Sequence, residues 1–323
     1  MGAYALHIEI FYPIIAVIGV PANLMSLVIL FRGKCGLSKD ITCYMIAMAM
    51  GDLMVLVFNV IVSQIVRYHF PGSPLRYTPV CRLSSYLQGF SFQLSTWFTV
   101  SFTCDRFVAI CCQKLRRTYC TERTAAMVLA TVGMVSVLTN VPLPLRYRPC
   151  YTVHRVAYGC CPVPGHLESP LWSAHGWASN LLNTFLPIPA LLLLNSLTAR
   201  YILGASRARL ALKGPRQVGG DDDPEVRSRR ASVALLFAVS GSFVALSVPI
   251  MVIDAWVGVS GTVMFRGPRS LYAAVQVAML LKCLGSCTNT CVYALTQSRF
   301  RAQMIGLLTP PFAGLCIGVK RTY

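Results

Sequence analysis

CRLSSYLQGFSFQLSTWFTVSFTCDRFVAICC, from Cys81 to Cys112, is the stretch on which the reading of this chain turns. It opens with a cysteine and a basic residue. It then runs through about 20 uncharged residues, enough to cross a bilayer as a helix. It closes on Asp105-Arg106-Phe107, after which the chain turns basic at Lys114, Arg116 and Arg117. An adjacent acid and base at the end of a membrane helix are costly to place there, so they point to function more than to stability. An ordinary charged pair at a membrane surface would explain the charges but not the cysteine at the other end.

Composition agrees with a membrane protein. Of 323 residues, 55% are hydrophobic and 12% charged, with mean hydropathy +0.59. A formal charge of +18 would suggest nucleic acid on a soluble protein. Here the charges sit between apolar spans, so the bilayer is the partner they imply and nucleic acid is not. Met1 to Ile10 lacks a basic leader, so the first span is expected to serve as its own insertion signal. Most of the 14 cysteines lie in apolar runs, where they behave as small apolar residues. Cys81, Cys150, Cys160 and Cys161 lie in or beside polar loops, and no CxxC pair is set up for zinc.

Working outward from the central stretch, seven apolar runs can be counted, at roughly 8–31, 41–66, 81–112, 124–145, 174–203, 231–257 and 270–296. Pro142 and Pro144 interrupt the outer end of the fourth. With the N-terminus outside, the inner segments hold 19 Lys and Arg and the outer segments 8, with Arg106 and Lys282 inside spans. This bias predicts a multi-pass protein of the plasma membrane with an extracellular N-terminus and a cytoplasmic C-terminus. The fold expected is an all-α, seven-transmembrane helix bundle over residues 1–308, with a short cytoplasmic tail over 309–323. The long inner loop of about Gly204 to Ser228 is expected to be a flexible linker. Beyond the last span, Phe300, Met304, Leu307 and Leu308 recur at helical spacing and predict a short amphipathic helix on the inner leaflet.

Few polar residues lie inside the spans. Asp52 is in the second, Asn23 in the first, Ser95 in the third, Ser286 and Asn289 in the seventh. A carboxylate in lipid must face the bundle and find partners. Such a set can hold a small cation, or it can be a hydrogen-bond network that ties helices together; both readings stay open. Pro187 and Pro249 fall mid-span in the fifth and sixth runs and are expected to kink their helices. An oxidising outer face predicts a disulfide from Cys81 to Cys160 or Cys161, with Cys150 free to pair with one of the others.

Together these residues resemble the rhodopsin-like (class A) G-protein-coupled receptors. The set comprises Asn23, Asp52, Cys81, Asp105-Arg106-Phe107, Pro187, Pro249, Asn289-x-x-x-Tyr293 and Phe300-Arg301. The spacings also agree: 25 residues separate Cys81 from Arg106, and Phe300 lies seven beyond Tyr293. The resemblance covers nearly the whole chain. It implies a non-enzymatic receptor that passes an extracellular ligand signal to a heterotrimeric G protein. Arg106 would turn toward the G protein, with Asp105 restraining it at rest. Asp52, Ser95, Ser286 and Asn289 match an allosteric sodium pocket, with no other cofactor implied. Asn195, Phe243, Pro249, Asn289 and Tyr293 match the switch positions.

Departures accompany the match. Phe107 stands where tyrosine is usual, Ser247 where the sixth span has a switch tryptophan, Thr290 where proline follows Asn289, and Asn195 where the fifth span has tyrosine. Arg229 replaces the acid that often locks Arg106. Gln88 takes the place of the aspartate that anchors amine ligands, and Cys283 that of the retinal lysine. The ligand expected is therefore a peptide or small molecule with an acidic group, near Gln88, Phe92, Phe185, Asp254 and Lys282. Within the family the chain looks nearest to orphan receptors allied to peptide and aromatic-amino-acid sensing. An N-terminal outer segment of about 10 residues leads to no expectation of a large ligand-capturing domain. A receptor-like protein that no longer couples is the alternative. A transporter or channel is weaker, since no repeat is visible, and an intramembrane enzyme weaker still, for want of a catalytic set.

Overall fold

The computed structural model describes residues 7–165, 169–212, 224–260 and 269–309. Eight long helices organise them. Helix α1 is Tyr12–Phe31, entered through a π-helical turn at His7–Phe11. Helix α2 runs from Lys39–Val55 through a π-helical stretch, Leu56–Val66, to Arg67–His69. Helix α3 is Thr78–Cys111 and α4 is Glu122–Asn140, with a short loop helix Gln113–Tyr119 between them. Helix α5 joins Pro170–Asn180, the π-turn Leu181–Phe185 and Pro187–Leu212. Helices α6, α7 and α8 are Pro224–Ser260, Arg269–Thr296 and Ser298–Leu308.

Six of these helices are long and apolar enough to cross a membrane: α1, α2, α4, α5, α6 and α7. The other two are α8, short at 11 residues, and α3, which at 34 residues is long enough but carries more polar side chains. Helix α3 is polar because it is central, packed against α2, α4, α5 and α6. Ser91, Gln93, Thr96, Thr99 and Thr103 are all buried in it. Hydroxyls on such a helix return to carbonyls one turn back. Ser84 donates to Val80 O at 2.9 Å, Thr99 to Ser95 O at 3.0 Å and Thr103 to Thr99 O at 2.8 Å. Apolar side chains face outward from the peripheral helices instead, as Val17 and Leu138 do. Lipid replaces water around them, so close packing and polar contacts between helices, more than hydrophobic transfer, hold the bundle together.

The prolines act as expected, with one shift of place. Pro142 and Pro144 end α4 in a 3-10 turn, Leu143–Arg146. Pro249 lies inside α6. Pro187 can offer no N–H and its ring crowds the carbonyl four residues back. The backbone yields before it, and Leu186 N donates to Leu181 O at 2.9 Å, five residues back. The long inner loop is shorter than expected. Gly204–Leu212 continues α5 and Pro224–Ser228 already belongs to α6. Ala205, Arg207, Ala208 and Leu210 are good helix formers, and Pro224 suits a first helical position. The remainder of that loop, 213–223, lies outside the described residues, as does 310–323 of the expected tail.

The loop between α4 and α5 carries β structure that the sequence reading did not anticipate. Strand β1 (Tyr147–Arg148) pairs with β4 (Cys161–Pro162), and β2 (Tyr151–Val153) with β3 (Val156–Tyr158), both antiparallel. His154 and Arg155 make the two-residue turn with φ of 48° and 67°, the paired positive values of a type I′ hairpin. Two disulfides fasten this cap: Cys81–Cys160 to α3, and Cys150–Cys161 within the loop. Polar contacts repeat the fastening. Arg82 Nε donates to Tyr147 O at 2.9 Å, and Thr78 Oγ1 to Gly159 O at 2.8 Å. Gly159 has φ +79°, and a Cβ there would meet Cys150 Sγ at 2.7 Å, so both conformation and room require glycine.

At the opposite end of the bundle Phe300 of α8 is fully buried, its ring edge-on to Tyr293 at 5.7 Å. The expected amphipathic helix is present, but Phe300 is turned into the bundle. Leu308 is exposed, as a residue facing lipid would be.

Candidate functional site

Arg106 lies near the end of α3 remote from the disulfides. Its guanidinium is buried between two carboxylates. Nε donates to Asp105 Oδ2 at 3.0 Å, Nη2 donates to Asp40 Oδ2 at 2.6 Å, and Nη2 also pairs with Asp105. Side-chain exposures of 6% for Arg106 and 7% for Asp40 place this pair where losing one partner leaves an uncompensated buried charge. Asp40 is in the first turn of α2, so the pair ties α2 to α3. Cys120 closes the group, its Sγ donating to Asp105 O at 3.6 Å. Asp40, Asp105 and Cys120 bring three metal-ligand atoms within 4.8 Å of one another. Arg106 already offsets one of the two carboxylate charges, and burial, reinforced by the charge of Asp105, pushes the Cys120 thiol up to about 11. A thiol so protonated is a poor metal ligand.

A second polar group lies mid-bundle. Asp52 is 1% exposed. Ser95 Oγ donates to its Oδ1 at 2.6 Å and Asn289 Nδ2 to its Oδ2 at 2.7 Å. Helices α2, α3 and α7 therefore meet on one carboxylate. Next to it Asn23 Nδ2 donates to Ser286 O at 2.8 Å, and Ser26 and Thr290 share a hydrogen bond of 2.8 Å, which brings in α1. All four residues expected to form a cation pocket line one cavity. About 20 Å³ of it can take the centre of a water-sized sphere, room for a water molecule or a small ion and not for an organic ligand.

The same cavity reaches Phe92, Phe243, Ser247 and Lys282. Lys282 Nζ sits 4.7 Å from the centroid of the Phe92 ring, a cation–π geometry. Among the described residues it makes no ion pair, and its nearest acidic influence is Asp254. Of the five expected ligand residues, Phe92 and Lys282 come together here, while Gln88, Phe185 and Asp254 do not line the cavity. Gln88 lies one turn nearer the disulfide end of α3, and its Nε2 is buried with no hydrogen-bond partner.

Toward the Arg106 end, Asn195 of α5 and Ser240 of α6 hold each other, Nδ2 donating to Oγ at 2.8 Å and Oγ to Oδ1 at 3.0 Å. Tyr293 is fully buried and its hydroxyl has no hydrogen-bond partner.

The sequence matches the family described as "7 transmembrane receptor (rhodopsin family)" over residues 22–293. The chain belongs to that family. Its similarity to individual members is low. It is 23% identical over 301 residues to cephalotocin receptor 2 of Octopus vulgaris, covering 86% of this chain and 66% of that one. It is 22% identical over 307 residues to C-X-C chemokine receptor type 1 of Mus musculus, covering 93% and 79%. It is 29% identical over 138 residues to the gastrin/cholecystokinin type B receptor of Canis lupus familiaris, covering 42% and 29%. The chain thus spans less than two thirds of the length of several of these relatives. As a rhodopsin-family receptor it is a multi-pass membrane protein.

Of the positions expected to act as switches, Asp105 and Arg106 are in contact, Asn289 reaches Asp52, Phe243 lines the central cavity, and Asn195 joins α5 to α6. Pro249 lies in the α6 interior. Asp40 and Ser240 were not anticipated. Asp40 had a signal: it is one of only 11 acids, placed where the second span begins. Ser240 had none, because a lone serine in a membrane helix most often bonds its own backbone, as Ser240 also does to Leu236 O at 2.6 Å.

Proposed function

We propose that the protein is a G-protein-coupled receptor of the plasma membrane, with the disulfide cap outside and the Arg106 end facing a cytoplasmic heterotrimeric G protein. The observation that carries this reading is Arg106, buried by paired carboxylates at the end of the central helix in a chain of this family. The excess of Lys and Arg on segments at that end supports the orientation. Opening the helices there would free a guanidinium able to bond carbonyls or carboxylates of a partner. Arg106→Ala is expected to abolish second-messenger output in cells at matched surface expression. Equal output from the wild type and the variant would reject coupling through Arg106 and favour a receptor-like protein that does not couple.

The cation expected at Asp52 suits the residues present: a carboxylate, two hydroxyls and an amide carbonyl are hard oxygen donors. Asp52, Ser95, Ser286 and Asn289 would hold a sodium ion, and the ion would supply a counter-charge to Asp52. Asp52 would also keep α2, α3 and α7 in register by its two hydrogen bonds.

The ligand reading rests on Lys282. An ammonium over an aromatic face with no ion pair is matched by an acidic group on a ligand. The central cavity is too small for the whole ligand. The ligand would lie toward the cap, over Gln88, Phe92, Phe185 and Asp254, and reach Lys282 from there. Cephalotocin, gastrin/cholecystokinin and chemokine, named in the relatives, are starting points for a screen, together with free amino acids. Lys282→Met is expected to weaken an acidic agonist roughly 30-fold or more, the effect of leaving a buried charge unpaired. An agonist whose potency is unchanged by Lys282→Met would show that its acid binds elsewhere.

A further inference from the structure

A second cavity lies between α4 and the first half of α5, away from the central one. Gln93 of α3 lines it from the bundle side. Leu138, Thr139 and Pro142 line it from α4 and its end, and His175 and Ser179 from α5. Its volume is about 270 Å³, far more than hydrogen bonding among its own residues requires.

Its polar groups are half used. Gln93 is 2% exposed. Its Oε1 accepts from Asn140 Nδ2 at 2.6 Å and from Thr139 Oγ1 at 3.0 Å. Among the described residues its Nε2 has no hydrogen-bond partner. Neither ring nitrogen of His175 has one either, although the ring is edge-on to Trp172 at 6.1 Å. Buried donors and acceptors are rarely left so. A neutral imidazole offers one donor and one acceptor, and the amide nitrogen offers donors. The complementary group must both accept and donate. Among the described residues no Lys, Arg, Asp or Glu lines the cavity, so a charged head would lack a counter-ion there. A hydroxyl meets these conditions.

The mouth determines where such a molecule comes from. Leu138 at the rim is 63% exposed and lies within a membrane-spanning helix, and the facing wall belongs to another. Entry is therefore from the lipid, in the half of the bilayer nearer the disulfide cap. We infer that this crevice binds a neutral membrane-borne alcohol of the sterol type, its hydroxyl held by Gln93 and His175 and its apolar body against Leu138 and Pro142.

The test is photolabelling of the full-length purified receptor in phosphatidylcholine nanodiscs, using a diazirine analogue of cholesterol. The labelled peptides are identified by mass spectrometry. Labels are expected on residues 138–142 and 175–182. Excess cholesterol should remove them, and its methyl ether or oleic acid should not. Gln93→Leu and, separately, His175→Phe should each cut this labelling roughly tenfold, about the effect of one hydrogen bond to a buried partner. His175→Phe breaks no hydrogen bond in the protein, so its melting temperature should equal that of the wild type and the loss cannot be ascribed to misfolding. Labelling elsewhere only, equal competition by the methyl ether, or labelling untouched by either variant would overturn the proposal. Displacement by oleic acid and not by the sterol would overturn it in favour of a carboxylate.

Discussion

Asp40→Asn is expected to raise ligand-independent signalling several-fold. The substitution keeps volume and a hydrogen-bond acceptor but removes the charge that faces Arg106 Nη2 at 2.6 Å. Arg106 would then be held by Asp105 alone, a neighbour on its own helix that moves with it. Asp40 differs in kind, because it sits on α2 and restrains Arg106 relative to a second helix. The position on α6 from which an acid often performs this task is Arg229 here, a residue of the same sign as Arg106. On the proposed function, the restraint on Arg106 would come from α2 and not from α6. If the lost contact favours the resting arrangement by about 1–2 kcal/mol, the resting-to-active ratio falls by roughly 5–30-fold. The comparison is basal second-messenger output at equal surface expression, with the Asp40→Asn, Arg106→Ala double variant as control. A rise in the single variant that disappears in the double assigns the effect to Arg106. Unchanged output from a normally folded Asp40→Asn would remove Asp40 from the mechanism.

That partner shows where the sequence was legible and where it was not. Helix count and the ends of most helices follow from hydropathy and proline, which act locally. Asp52, Ser95 and Asn289 could be grouped because polar side chains in lipid are few and must find one another. Asp40 sits at a membrane boundary, where charges are common and a partner 66 residues away leaves no local trace. Helix α3 misleads in the other direction. Its uncharged run reads like the other spans, whereas its buried polar residues mark the helix that other helices surround. Burial by protein permits what exposure to lipid would not, and hydropathy alone does not separate the two. The β hairpins of the cap were missed because strands of two or three residues are too short for alternation to register. The crevice at Gln93 was missed because Gln93, Thr139 and His175 come from three helices and each is unremarkable alone.

The two disulfides should differ in weight, and removing them in pairs would show it. A single serine would leave an unpaired cysteine beside an intact disulfide, open to exchange. Cys81→Ser with Cys160→Ser, and Cys150→Ser with Cys161→Ser, are the clean variants. The first pair closes a separation of 79 residues and the second one of 11. Chain entropy alone would give about 4.5 and about 2.8 kcal/mol respectively. Between Cys81 and Cys160, however, the rest of α3 and all of α4 intervene. These stay helical in the bilayer when the protein unfolds there, so the first figure is an upper bound. Position decides the order instead. Cys81–Cys160 fastens the cap to the central helix covalently, and without it the cap is held there by hydrogen bonds from Arg82, Thr78 and Gly159 N to three carbonyls and by the Tyr77–Tyr158 ring contact. Cys150–Cys161 joins strands already paired within the loop, where Cys150 N donates to Tyr158 O at 2.8 Å. Loss of the first is expected to lower the melting temperature of the purified receptor by roughly 5–10 °C and to reduce surface expression. Loss of the second should cost less than half of that. Equal losses would mean that the hairpin, and not its tether to α3, sets the stability of this end. The ligand residues expected beneath the cap, Gln88 and Asp254 among them, would then depend on the fold of the loop more than on its anchorage.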